Sequence, residues 1–138
     1  MKFLSFSQSG RHCFGGIKDN GIVNLSMHCP EIGDLRDAIR KGQLSRLTEL
    51  VIKSDIDLPL DEIQYLPTIP NAEKIICIGV NYANRNAEYK DGTEPPRYPS
   101  VFMRNRESLV GHEQHIMNPP ESNQLDYEGE IVLIIGKE

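Results

Sequence analysis

The feature that most constrains the fold is Glu128-Gly129-Glu130 running into Ile131-Val132-Leu133-Ile134-Ile135-Gly136. Read as a strand, it puts Glu128 and Glu130 on one face, because side chains alternate with period two. Two carboxylates side by side at the mouth of an apolar strand repel one another and lose hydration. A divalent cation relieves that cost, and hard ions such as Mg²⁺ favour oxygen ligands. The alternative is that both are the wet end of a strand. A strand as apolar as Ile131–Ile135 also needs partners on its edges. That need predicts association of the chain with itself or with a complementary fragment.

Composition excludes several classes. The chain has 138 residues, enough for one domain of ordinary size, with 38% hydrophobic and 25% charged residues as in a soluble globular protein. Twenty acidic residues against fifteen basic give a net charge of −5. With no Lys/Arg stripe to offset it, that balance argues against nucleic acid. No apolar run approaches the roughly 20 residues of a membrane span, and the N-terminus lacks the apolar core of a signal peptide. Cys13, Cys29 and Cys77 are odd in number and have no CxxC spacing. They read as reduced thiols of a cytoplasmic protein, with Cys77 packed as a small apolar residue.

Residues 1–53 read as a small accessory domain. Strand-like runs occupy Lys2–Phe6, His12–Ile17 and Ile22–Leu25, with Asp19-Asn20-Gly21 as a hairpin signal, since Asn-Gly accepts positive φ at both central positions. Asp34 can cap a helix that carries Leu35, Ala38 and Ile39 on one face and has Gly42 just past its end. A second helix places Leu44, Leu47, Leu50 and Val51 at helical spacing. Residues 54–73 read as a linker, interrupted by Pro59, Pro67 and Pro70. From Lys74 the pattern changes. Lys74-Ile75-Ile76-Cys77-Ile78-Gly79-Val80 is a near-continuous apolar strand of the kind buried on both faces. Asn81 and Tyr82 stand at its end, residues 83–90 form a short helix or ordered loop, and Val101-Phe102-Met103-Arg104 is a further strand.

Three blocks carry a resemblance: Lys74–Tyr82, Tyr98-Pro99-Ser100-Val101-Phe102-Met103-Arg104, and Leu125-Asp126-Tyr127-Glu128-Gly129-Glu130-Ile131 leading to Ile135-Gly136-Lys137. In order and spacing they resemble the fumarylacetoacetate hydrolase family. The resemblance covers residues 74–138, and the hairpin-plus-helices segment before it is similar to the small N-terminal domain many members carry. It implies an α+β, mainly β fold, of which this chain holds the N-terminal domain and the opening strands of a mixed β-roll. The implied cofactor is Mg²⁺ or Mn²⁺, held by Glu128, Glu130 and an aspartate of a later strand that would lie beyond Glu138, as would a lysine near the substrate. The implied chemistry is hydrolysis or isomerisation of a small 2-oxo acid or acylpyruvate in aromatic-compound catabolism, by a homodimer. The competing reading is a non-catalytic fragment or binding module without a complete metal centre.

One departure bears on mechanism. Hydrolytic members of the family place a histidine after the Asn-Tyr pair and a glutamate three residues later, a dyad that activates water. Here Arg85 and Glu88 stand at those positions. Arginine stays protonated at physiological pH and cannot act as a general base. Glu88 is the best base present, although an i, i+3 pair with Arg85 would lower its pKa and weaken it. Arg85 suits a substrate carboxylate through its planar fork of donors, and the alternative for both is a solvated surface pair. Arg104 falls where many members carry a basic residue near the pocket, and with Tyr82 it is the candidate substrate contact; a plain surface arginine is the alternative. Asp126 and Tyr127 are placed to brace the metal ligands by hydrogen bonds. His112 and His115 form an H-x-x-H pair without a third or fourth zinc ligand in view.

Overall fold

The computed structural model describes residues 1–79, 81 and 97–136. Contacts divide them into two compact units, one made of residues 1–70 with the described residues from Val110 onward, the other of those between Asn71 and Leu109. Strands dominate both, and the class is α+β, mainly β.

In the first unit, β1 (Lys2–Gln8), β2 (Arg11–Lys18) and β3 (Gly21–Asn24) form an antiparallel meander. The turn joining β1 to β2 uses Ser9 at φ 50° and Gly10 at φ 78°. At the next turn Lys18 pairs with Gly21, so Asp19 and Asn20 are the central residues, and Asp19 takes the positive φ of 49°. The turn therefore sits one residue earlier than the Asn-Gly signal indicates. Gly21 is needed for a different reason: a side chain there would meet Ile56 and the Leu58 carbonyl, the latter 2.9 Å away. The expected third strand also stops early, because Leu25 opens a single helical turn, α1 (Leu25–His28). Asp57 Oδ2 fastens that turn, accepting from the Asn24 N–H at 2.7 Å and lying 2.8 Å from His28 Nε2.

Helix α2 (Leu35–Arg40) starts where expected, with Asp34 Oδ1 accepting the Asp37 N–H at 2.6 Å, and Gly42 follows it at φ 64°. Removing the cap in Asp34→Ala should cost about 1 kcal/mol, read as a lower urea midpoint at unchanged slope. Asp37 is held well below the usual carboxylate range by Lys41, Arg40 and the Gly33 N–H, in that order. Helix α3 (Leu44–Lys53) buries Leu47 and Val51 as its spacing requires. Lys18 Nζ donates to the Ile52 and Ser54 carbonyls at 3.1 and 2.6 Å, placing a cation where the helix end is negative.

The proline-rich stretch after α3 holds more order than its composition predicts. β4 (Leu58–Pro59) pairs with β3, β5 (Gln64–Tyr65) pairs with β1, and a 3₁₀ turn at Leu60–Glu62 separates them. The sheet order is β4-β3-β2-β1-β5, so Pro59 sits on an edge where its missing N–H is harmless. Both faces of the sheet are covered. Phe14 and Val23 pack with Leu25, Leu35, Ala38, Leu47 and Val51 on the helical side, and Leu4, Phe6 and Ile22 pack with Leu58, Leu60, Ile63 and Tyr65 on the other. Gly16 lets α3 approach the sheet, because a Cβ there would run into Val51. Burial pushes the Cys29 thiol up.

In the second unit, β6 (Ile75–Gly79) and β7 (Ser100–Arg104) form an antiparallel pair in which Cys77 opposes Phe102. Burial on both faces, the expectation for β6, is not observed. Ile76 and Ile78 are 59% and 45% exposed and Cys77 is only half-buried, since no further layer covers a two-stranded sheet among the described residues. A second correction concerns Leu125–Gly136, which carries no strand. A strand exists through its ladder, and none of the described strands pairs with this segment.

Candidate functional site

Glu128 and Glu130 lie in that unpaired segment, and both are exposed. Just before them, Asp126 Oδ1 accepts the Tyr127 N–H at 2.9 Å, so Asp126 shapes its own backbone. Two carboxylates at i and i+2 are hard oxygen donors, a set that fits a cation such as Mg²⁺, which usually takes one or two carboxylates and keeps several waters. Among the described residues no group of three or more His, Cys, Asp or Glu side chains gathers into a fuller cage. The H-x-x-H pair does not form one. His112 turns its ring edge-on to Tyr65, 5.3 Å between centroids at 86°, and lies 3.7 Å from Glu113, while His115 is exposed.

Arg104 ends β7 opposite Ile75, and its guanidinium stacks over Phe102 at 5.3 Å from the ring centroid. It lines a shallow concavity with Glu73, Ile75, Asn105, Arg106 and Glu107. Arg106 Nε donates to Glu107 Oε1 at 2.8 Å, and that bond holds the Glu107 carboxyl below its ordinary range. Arg104 therefore stands beside an ion pair, with a flat cationic face held by an aromatic ring. Tyr82, Arg85 and Glu88 lie outside the described residues.

Tyr65 and Gly111 carry no motif in the sequence. Gly111 is buried with its backbone against the Tyr65 carbonyl, too close for any side chain, and its N–H donates to Gln114 Oε1 at 2.8 Å. Its place in Val110-Gly111-His112 was the only signal, and it became readable only once β5 was in position.

Comparison with known proteins adds the lineage. Residues 74–138 match the family model described as Fumarylacetoacetate (FAA) hydrolase C-terminal, a span that contains β6, β7, Glu128 and Glu130. Residues 74–138 of the chain belong to the fumarylacetoacetate hydrolase family. Among curated relatives, the mitochondrial oxaloacetate tautomerase of Xenopus laevis is 33% identical over 128 residues, covering 88% of this chain and 39% of the relative. A human mitochondrial oxaloacetate tautomerase is 31% identical over 120 residues, covering 85% of this chain and 38% of the relative. One from Bos taurus is 34% identical over 80 residues, with coverages of 58% and 25%. The chain thus spans 25–39% of the length of these relatives. A crystal structure described as that of an HpcE protein from Mycobacterium smegmatis superposes with a TM-score of 0.59 at 16% identity, over 84% of this chain and 40% of that one. At that identity the likeness is one of fold, and it agrees with the α+β, mainly β class. Among the described residues, no helix is long and apolar enough to cross a membrane.

Proposed function

We propose that the chain is part of a Mg²⁺- or Mn²⁺-dependent hydrolase or isomerase for a small 2-oxo acid, working as a cytoplasmic homodimer. The observation that carries this reading is the placement of Glu128 and Glu130 inside the matched span of residues 74–138. The names of the relatives favour a 2-oxo dicarboxylic acid such as oxaloacetate and favour keto–enol isomerisation over C–C cleavage.

In this reading Glu128 and Glu130 hold the cation. When bound, the cation supplies Lewis-acid stabilisation of the enolate oxygen. Arg104, its guanidinium oriented by Phe102, receives one substrate carboxylate, and Arg85 receives the other through paired N–H donors. Tyr82 borders the same substrate. Glu88 takes the proton from the carbon next to the ketone and returns it to oxygen, the transfer that distinguishes enol from keto form. With an acylpyruvate the same carboxylate would direct water at the carbonyl instead. Arg85 at the histidine position of hydrolytic members supports isomerisation, because that position then binds and does not accept a proton.

The test is the full protein's rate of keto–enol interconversion of oxaloacetate, followed by enol absorbance with Mg²⁺ or Mn²⁺ and after chelation. Acceleration that depends on the cation and falls about 100-fold or more in Glu88→Gln is expected. No acceleration with oxaloacetate or with acylpyruvates at saturating Mn²⁺ would leave the second reading, a binding module of this fold. Arg85 in place of the histidine is the observation that favours that reading.

A further inference from the structure

We infer that β5 is a clasp that closes the second unit at its stem, and that this closure helps keep the β6–β7 ribbon paired.

The ribbon needs help. A two-stranded antiparallel sheet standing alone is marginal in water, and among the described residues β6 and β7 have no third strand beside them. Their ladder runs from Ile75 opposite Arg104 to Gly79 opposite Ser100, and Ile76, Ile78, Val101 and Met103 share an exposed face. Burial of that face therefore contributes little to the pairing. What opposes pairing is the entropy of bringing distant points of the chain together. That cost falls when the ends of the excursion are already joined.

β5 joins them. On the entering side Tyr65 pairs with Phe6, and the Leu66 N–H donates to the Ser5 carbonyl at 3.1 Å. Buried Ser5 then donates through Oγ to the Thr68 carbonyl at 2.8 Å, and Ile69 packs against the core that holds Phe14. On the leaving side, buried Gly111 lies against the same residues. A Cβ there would run into the Tyr65 carbonyl and would lie 3.1 Å from Leu66 Cα. The Gly111 N–H donates to Gln114 Oε1 at 2.8 Å, and the Gln114 N–H donates back to the Gly111 carbonyl at 3.1 Å. The His112 ring meets the Tyr65 ring edge-on. Every one of these contacts lies within the first unit.

The legs between clasp and ladder are also stiffened. Pro70 precedes β6, and a 3₁₀ turn at Arg106–Ser108 follows β7, with Ser108 Oγ donating to the Asn105 carbonyl at 2.7 Å. Closure requires no rigid hold on the strands, because it acts through loop length alone. With the ends met on β5, the three-halves-power scaling of loop entropy favours pairing by about threefold. The small domain is accordingly discontinuous. The residues around Gly111 belong to its fold, although they lie within the span of 74–138 that matches the family.

Amide exchange in the full chain tests the clasp. Gly111→Ala puts a methyl group into the crossing, and Gln114→Ala removes the acceptor of the Gly111 N–H. Each should speed exchange of the β6 and β7 ladder amides by about threefold, with α3, β2 and β3 unchanged. Gly33→Ala, at a glycine with open space around it, should alter nothing. Faster exchange at residues 110–114 with β6 and β7 unchanged would overturn the inference, and so would no change anywhere in both variants. If Gly111→Ala also loosens α3, Gln114→Ala alone decides.

Discussion

Replacing Glu128 and Glu130 together by alanine is expected to abolish Mg²⁺ and Mn²⁺ binding, measured as the loss of titration heat. The two carboxylates supply both the negative charge and the hard oxygens of the proposed site, whereas Asp126 is engaged by the Tyr127 N–H. Loss of a supporting partner alone costs about 10–100-fold in metal affinity, so loss of two ligands should exceed that range. The isosteric pair Glu128→Gln and Glu130→Gln should behave almost the same, because removing charge and not shape is what matters. Equal heats in the unaltered and alanine proteins would remove the site, and with it the assigned chemistry.

Phe14→Ala is expected to produce the largest loss of stability. Phe14 is 1% exposed and packs among Val23, Leu25, Leu35 and Leu47, where the sheet meets α2 and α3. Deleting a buried phenyl ring costs about 3–5 kcal/mol, combining lost transfer energy with the cavity left behind. Small domains have only about 5–15 kcal/mol in total, so a large fraction of the protein should be unfolded in mild urea. The lower midpoint should come with an unchanged denaturant slope. A midpoint shift worth less than about 1 kcal/mol would mean that this interface is not the core of the unit.

Local signals in the sequence match the local structure. The Asp34 cap, the Gly42 stop and the Leu47/Val51 face each depend on neighbours within one or two turns, and each appears as expected. The turn falls at Asp19-Asn20, one residue before the Asn-Gly signal, because Gly21 has two possible reasons to be glycine and the effective one is packing against Ile56. Edge strands of two residues, β4 and β5, are too short to show any periodicity, and Pro59 disguised the first. The apolar runs at Ile75–Gly79 and Ile131–Ile135 announced strands buried by neighbours, but hydrophobicity reports a demand for cover and does not supply the cover. For the site, Glu128 and Glu130 were legible as a motif. The Tyr65–Gly111 contact was not, because it joins residues far apart along the chain and only the finished sheet brings them together.

The meander of β1, β2 and β3, followed directly by α2 and α3, also has a consequence for the order of assembly. Its contacts join segments that follow one another closely, the kind of topology that folds fast. During synthesis this portion can mature while later residues are still inside the ribosome. The later residues would then emerge beside a unit that has already folded.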